Sequence, residues 1–273
     1  MEPALNNHRA RWSRRALFAF ATVAPVLAVW LWRWHLAIAL APIFISHVLL
    51  LYATLSPNCQ WWGPVIRSFA TSEREVWITI DDGPSTDHTL RMLDILEAQH
   101  AQATFFVMGE RAEKHPHLIT EILARGHGVA NHTYTHPARS FWIAGPREIA
   151  AEIDRCAPTL RSAPDRPAIL FRAPAGLKNP FVHHELRRRG LHLVGWTIRS
   201  LDTVRRDAQA IADGIRKKAR PGAIILLHES HRTETEPNFN PRCLELTLQE
   251  LAAAGYSFII PRVEQLRTRV GGK

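Results

Sequence analysis

Two short clusters in this 273-residue chain hold side chains able to act on a substrate. The first reads Thr79-Ile80-Asp81-Asp82-Gly83-Pro84-Ser85. Two adjacent carboxylates leaving a β-rich run point in different directions, and Gly83 and Pro84 fix a sharp turn behind them. One carboxylate can then ligate a cation while the other stays free as a base. The second cluster reads His132-Thr133-Tyr134-Thr135-His136 and is closed by Pro137. Two imidazoles four residues apart can meet one ion if the segment makes a helical turn, which Pro137 keeps short. With Asp82 the set becomes two histidines and one carboxylate, the donor type of catalytic metal sites that keep a position open for water.

The elements that must position these groups can be read from the hydrophobic pattern. Strands are predicted at Val76–Ile80, Ala103–Met108, Gly128–Asn131, Ala168–Arg172, Leu191–Ile198, Ala223–His228 and Ser257–Ile260. Helical patterns separate them, at His88–Gln99, Pro116–Arg125, Pro146–Leu160, Pro180–Arg189, Asp207–Ala219 and Pro241–Ala254. Pro116, Pro146, Pro180 and Pro241 stand where helices should begin, and Gly126, Gly190 and Gly255 where they should end. Alternation of this kind makes a parallel α/β architecture, either an open sheet or a barrel. Asp81 and Asp82 follow the first strand and Asn131-His132 the third. Arg172 ends the fourth, Asp202 comes shortly after the fifth, and His228 ends the sixth. In parallel barrels the C-terminal strand ends share one face, so five separate segments converge on one mouth.

Taken together, the Thr-x-Asp-Asp-Gly-Pro and His-Thr-x-x-His clusters resemble the polysaccharide deacetylase family, also called the NodB-homology or carbohydrate esterase 4 family. The resemblance covers Glu75 to Pro261. It implies a distorted (β/α) barrel of about seven parallel strands. It implies that Asp82, His132 and His136 hold a divalent metal, usually zinc in this family, and that Asp81 is the base that activates water. Phe171-Arg172-Ala173-Pro174-Ala175-Gly176 is similar to the family's third motif, in which Arg172 would position Asp81. Leu226-Leu227-His228 looks like the last motif, with His228 as general acid for the leaving amine and Asp202 as the acid that orients and tunes it. The backbone N–H of Ala175 would help hold the oxyanion. The sequence departs from the family pattern at Ala175, commonly Tyr, and at Thr203, commonly Trp, so the pocket walls must differ.

The amino-terminal part has a different character. Ala16–Trp32 is uncharged and mostly apolar, Arg33-Trp34-His35 interrupts, and Leu36–Thr54 is apolar again. Each run approaches the roughly 20 residues of a membrane span. Trp30, Trp32 and Trp34 cluster at the interruption, and Trp61 and Trp62 follow the second run, where interfacial aromatics belong. A cleavable signal peptide is the competing reading, given the basic stretch Arg9 to Arg15. The first run is long for that, a second apolar run follows, and no small-x-small site intervenes. The expectation is residues 1–55 as a basic flank and one or two transmembrane helices, 56–72 as a linker, and 73–273 as the catalytic domain. The anchor would sit in a bacterial-type inner membrane. Two full spans would leave the catalytic domain on the cytoplasmic side with the arginine cluster, and a single span would place it outside.

Composition narrows the partners. Residues 1–70 hold six arginines against one acid, Glu2, so much of the formal charge of +9 is a membrane-flank signal. The basic runs Arg187–Arg189 and Arg216–Arg220 read as solvated helix faces, and no recognisable nucleic-acid module accompanies them. Cys59, Cys156 and Cys243 are too few for a disulfide framework and too scattered for a thiolate zinc site. The first functional reading is an N-deacetylase of an amino sugar in a cell-envelope polysaccharide or oligosaccharide. A second keeps the chemistry and takes a lipid-linked amino sugar, deacylated or deformylated at the membrane surface. A third, from another class, is an inactive glycan-binding module. Oligomeric state is left open. Phe141 and Trp142 are read as core more readily than as a sugar platform, and residues 229–240 as a loop that borders the mouth.

Overall fold

The computed structural model describes residues 8–160, 169–205, 207–229 and 239–266. Two long helices open it, α1 (His8–Leu31) and α2 (Leu36–Leu55), joined by a tight turn. The break falls where Arg33-Trp34-His35 interrupts the apolar pattern, and the His35 side chain caps α2 by accepting from the Ala37 N–H at 3.2 Å. Both helices are long and apolar enough to cross a membrane. They pack against each other as an antiparallel pair, because Leu17 near the start of α1 shares a cluster with Ala53 near the end of α2.

The rest is a curled half-barrel of parallel strands. Its strands are β1 (Glu75–Gly83), β2 (Ala103–Val107), β3 (Gly128–Asn131), β4 (Leu170–Phe171), β5 (His192–Leu193), β6 (Ile198–Arg199), β7 (Ala223–His228) and β8 (Ser257–Phe258). Seven lie in the order β5-β4-β3-β2-β1-β7-β6, and β8 extends the pairing at the start of β1. The central strands are buried along nearly their whole length because both faces are covered.

Alternation along β1 divides the two faces. Val76, Ile78 and Ile80 point outward and pack beneath the helices α3 (Thr89–Ala98), α5 (Pro116–Ala124), α8 (Ala208–Lys218) and α9 (Phe239–Ala253). Trp77 turns into the curl with Phe106, Ala130, Val194 and Ile224. Thr79 and Asp81 lie on that inner side by the same period of two. Pro116, Pro146 and Pro180 start α5, α6 (Pro146–Cys156) and α7 (Pro180–Arg188), and Gly126, Gly190 and Gly255 take the left-handed conformation after their helices. α4 (Gly109–Lys114), one short turn after β2, carries no signal strong enough to predict it.

Two expectations fail: Pro241 does not open its helix, since α9 already begins at Phe239, and one predicted strand divides. Leu191–Ile198 reads as a single strand, yet it forms β5 and β6 on opposite edges of the sheet. The chain crosses the open side of the curl between them. A Cβ on Gly195 would come 2.3 Å from Asn58 Oδ1, so this crossing is packed directly against Asn58. The opening is filled by residues 66–68: Ile66 bridges to Val194 beside β5, and Ser68 bridges to Ala223 of β7. The residue-168 end of the predicted fourth strand and most of loop 229–240 lie outside the described residues. Phe141 is core, wholly buried with Phe171 and Val182.

Candidate active site

All eight residues singled out from the sequence gather at the C-terminal ends of the strands. A pocket of about 160 Å³ is lined by Asp81, Asp82, His132, His136, Ala175 and His228, together with Gly176, Trp196, Arg199, Thr203 and Leu226. Arg172 and Asp202 stand immediately behind it.

β1 delivers both carboxylates. Asp81 continues the inward face, while Asp82 has φ 69°, a left-handed value that re-aims its side chain at the neighbouring mouth. A register irregularity between Asp81 and Gly83 marks the same place. The turn is held by Glu229, whose Oε1 accepts from the Ser85 N–H at 2.8 Å and from the Thr89 hydroxyl. A Cβ on Gly83 would lie 2.0 Å from Glu229 Oε2, which is why glycine is required there. Arg111 on α4 donates to the Asp82 carbonyl at 2.6 Å.

The histidine segment does not make the helical turn expected of it. It is an irregular loop after β3, with Thr133 at φ 68° and His136 at φ 55°. Side-chain bonds replace helical ones: Asn131 Oδ1 accepts from Thr133 N, and Glu152 on α6 accepts from the N–H groups of Tyr134 and Thr135 and from the Thr135 hydroxyl, all within 2.9 Å. The rings still converge, with centroids 4.8 Å apart. His132 Nδ1 donates to the Arg172 carbonyl at 2.8 Å, which leaves Nε2 as the free donor atom facing Asp82.

Asp82 Oδ1 stands 3.4 Å from His132 Nε2 and 3.4 Å from His136 Nε2. Donor atoms at ordinary zinc distances from one tetrahedral centre stand about 3.4 Å from each other. Ligand atoms of all three residues lie within 4.8 Å of one another. The chemistry and spacing of this donor set therefore fit a divalent cation. The local charges point the same way. Burial raises the Asp82 carboxyl, but the hydrogen bond and charge of His132, with His136 and His228 behind it, outweigh that and hold it below the usual carboxylate range. Burial and the neighbouring His132 push His136 down to about 4, favouring the neutral, ligating form.

Asp81 is bound from behind. Arg172, almost wholly buried, places Nη1 2.6 Å from Asp81 Oδ1 and 2.9 Å from Thr79 Oγ1. Its Nε and Nη2 donate to the Val194 and Gly195 carbonyls at 3.3 and 3.0 Å, and its Cζ lies 4.1 Å from the Phe106 ring centre. The second Asp81 oxygen is 3.6 Å from His132 Nε2, beside the donor set.

His228 ends β7 as the register partner of Asp81 on β1. Its Nδ1 is 2.7 Å from Asp202 Oδ1, and its backbone N–H donates to Asp202 Oδ2 at 2.8 Å. Ser200 Oγ donates to Asp202 Oδ1 at 2.7 Å. Burial lowers the His228 pKa, but the charge and hydrogen bond of Asp202, helped by Asp81 and Asp82, raise it to about 9. Nε2 therefore carries a proton toward the pocket at neutral pH. Ala175 has φ 52° in the middle of a short 3-10 turn (Pro174–Gly176), where its N–H precedes any acceptor within that turn.

Glu152, Arg111, Glu229 and Trp196 were not legible as site residues. Glu152, Arg111 and Trp196 come from helices or a strand crossing outside the two clusters, where nothing in the local sequence marks them, and Glu229 was read only as the first residue of the loop that borders the mouth.

Comparison with known proteins agrees with this architecture. The profile of the family described as polysaccharide deacetylase matches residues 69–194. A chitooligosaccharide deacetylase of Bradyrhizobium sp. (strain ANU 289) is 34% identical over 193 residues, which is 70% of this chain and 85% of that protein. A peptidoglycan-N-acetylglucosamine deacetylase of Bacillus cereus is 29% identical over 199 residues, 72% of this chain and 91% of its own length. Among solved structures, a family 4 carbohydrate esterase from Streptomyces lividans in complex with acetate superposes with a TM-score of 0.61 at 29% identity, covering 70% of this chain and 94% of that one.

Proposed function

The chain belongs to the polysaccharide deacetylase family, a family of hydrolases of amide carbon–nitrogen bonds, and from that premise we propose that it is a metal-dependent N-deacetylase of an amino sugar of the cell envelope. The observation that carries this reading is the placement of Asp81 within one pocket. Arg172 fixes it at 2.6 Å, the Asp82–His132–His136 donors lie beside it, and His228, backed by Asp202, lines the same pocket from the adjoining strand.

Amide hydrolysis needs a polarised carbonyl, a nucleophile at neutral pH and a proton for the departing nitrogen. A divalent cation, zinc by the donor set, supplies Lewis acidity toward the carbonyl and acidifies water when Asp82, His132 and His136 hold it. The remaining tasks fall to the chain itself. Asp81 takes a proton from the attacking water as the new carbon–oxygen bond forms. The Ala175 N–H faces the oxygen that gains charge. His228 Nε2 gives its proton to nitrogen as the carbon–nitrogen bond breaks, releasing acetate and the free amine. Arg172 and Asp202 are positioning residues, each acting through the group it binds.

Residues 1–55 are proposed as a basic flank with membrane-crossing helices, and residues 73–273 as the catalytic domain. The inactive-module alternative is disfavoured because every position the chemistry requires holds a competent side chain. Incubation of the zinc-loaded protein with N-acetylglucosamine oligomers and with lipid-linked N-acetylated amino sugars, reading released acetate, tests the proposal. Wild type should release acetate from at least one of them, and Asp81→Asn should fall about 10²–10⁴-fold. Equal behaviour of the two proteins on every substrate would overturn it.

A further inference from the structure

The helical pair bears directly on the active site. Lys178, buried two residues past Gly176, extends Nζ to the carbonyls of Ser56 and Pro57 at 2.7 Å each, and its N–H donates to Thr54 O at the end of α2. Asn58 donates through Nδ2 to the Trp196 carbonyl at 2.9 Å and accepts from the Trp196 N–H. A Cβ on Gly176 would lie 2.7 Å from Pro57 Cβ. Gly176 and Trp196 are walls of the pocket. The first residues after α2 are thus stapled to the back of the wall that faces the substrate.

The fixed connection sets a height. Pro57 and Asn58 stand two and three residues past Leu55, so the chain carries them no more than about 10 Å from the helix end. The headgroup layer of a bilayer is about 5–8 Å deep on each side. A pocket wall at that distance lies at the membrane surface, not on a long tether above it.

The pair also sets a side. Phe18 of α1 stacks 5.6 Å from Trp62, and Leu17 joins Ala53, Cys59 and Trp62 in one cluster. Arg14 is near enough to His183 for its charge to act on that half-buried imidazole. The first turns of α1, whose sequence carries Arg9, Arg11, Arg14 and Arg15, therefore lie at the catalytic-domain end of the pair. Basic flanks stay in the cytoplasm. Most of the large apolar side chains exposed to the surroundings lie on these two helices, among them Val26, Val29, Phe44 and Val48.

We infer that the two helices form a membrane hairpin that returns the chain to the cytoplasmic side and holds the pocket at that surface, and that the substrate is an amino sugar carried on a membrane lipid through a phosphate. A finished polymer outside the cell is out of reach from there, whereas a lipid-carried precursor presents its sugar at headgroup height. Arg199, exposed at the pocket, offers a guanidinium suited to the linking phosphate. This substrate class rests on the deacetylase reading above; the sidedness does not.

Two measurements on the full chain decide it. The protein carrying a carboxy-terminal green fluorescent protein should fluoresce in bacterial cells, and an alkaline phosphatase fusion at the same point should be inactive; an active phosphatase overturns the inference. Zinc-loaded protein in liposomes should then deacetylate undecaprenyl-diphosphate-linked N-acetylglucosamine with a kcat/KM at least tenfold above that for N-acetylglucosamine tetramer. Arg199→Ala should lose at least tenfold more on the lipid substrate than on the tetramer. Equal or better turnover of the tetramer, or an equal loss on both substrates, sinks the inference and leaves the deacetylase reading standing. Acetate from neither substrate sinks both.

Discussion

Arg172 reaches Asp81 at 2.6 Å through an interior that offers its guanidinium three further oxygens, on Thr79, Val194 and Gly195. All three nitrogens of the fork are engaged, and the pair is buried. Removing one partner strands the other without solvent. Arg172→Met should destabilise the fold by about 3–5 kcal/mol in denaturant titration. Arg172→Lys should recover little, because a single ammonium cannot serve a spread of acceptors fitted to a planar group.

Metal uptake follows the donor set. Wild type should bind one zinc per chain after dialysis against the metal, measured by elemental analysis, and the single variants His132→Ala and His136→Ala should each cut the retained metal to well below half. Zinc at 100 times its Kd should stabilise the wild type by about 2.7 kcal/mol, visible as a higher Tm, and a chelator should reverse it.

The pH profile should report the Asp202–His228 pair. His228 is raised to about 9, so its proton is present at neutral pH and is lost as pH rises through that value. Activity should fall on the alkaline side accordingly. The stability this pair contributes has the same sign: fully present below the ordinary histidine pKa of about 6.5 and lost as pH rises toward 9. Asp202→Asn removes the largest raising influence and should move the alkaline limb of kcat downward by about one pH unit or more. An unmoved limb would show that another group titrates there.

Glu152 gives a separate handle on geometry. Its carboxylate takes three hydrogen bonds from Tyr134 and Thr135, between the two imidazoles, without lining the pocket. Glu152→Ala should weaken zinc affinity about 10–100-fold, as loss of an outer support does, while circular dichroism stays native. Glu152→Gln keeps acceptors for part of this set and should lie between.

Gly83→Ala tests the turn behind Asp82. The added methyl meets Oε2 of Glu229, a wholly buried side chain tied to Ser85 and Thr89 through its other oxygen. The cost should be about 1–3 kcal/mol of stability. Relief in the double variant Gly83→Ala, Glu229→Ala would identify the clash as the cause.

Much of this site was legible along the chain. Adjacent carboxylates at Asp81 and Asp82, the His132 and His136 spacing, Arg172 and His228 at strand ends, and the paired apolar runs each follow from residue type and local period, because side-chain direction along a strand and helix punctuation by Pro and Gly are local properties. What joins them is not local. Whether His132 and His136 share a centre depends on left-handed residues stabilised by Glu152 from another element, so the helical turn that spacing suggests is absent. Leu191–Ile198 divides into two edge strands because the curl of the sheet leaves an opening that residues 66–68 fill, and no pattern in the strand itself encodes that. Likewise the sequence announces two apolar helices, but only packing of Lys178 and Asn58 against the chain and carbonyls around them ties those helices to the pocket wall. Hydrophobic period and donor chemistry are carried by neighbours in sequence, whereas distance between side chains is set by the long-range burial that closes the fold.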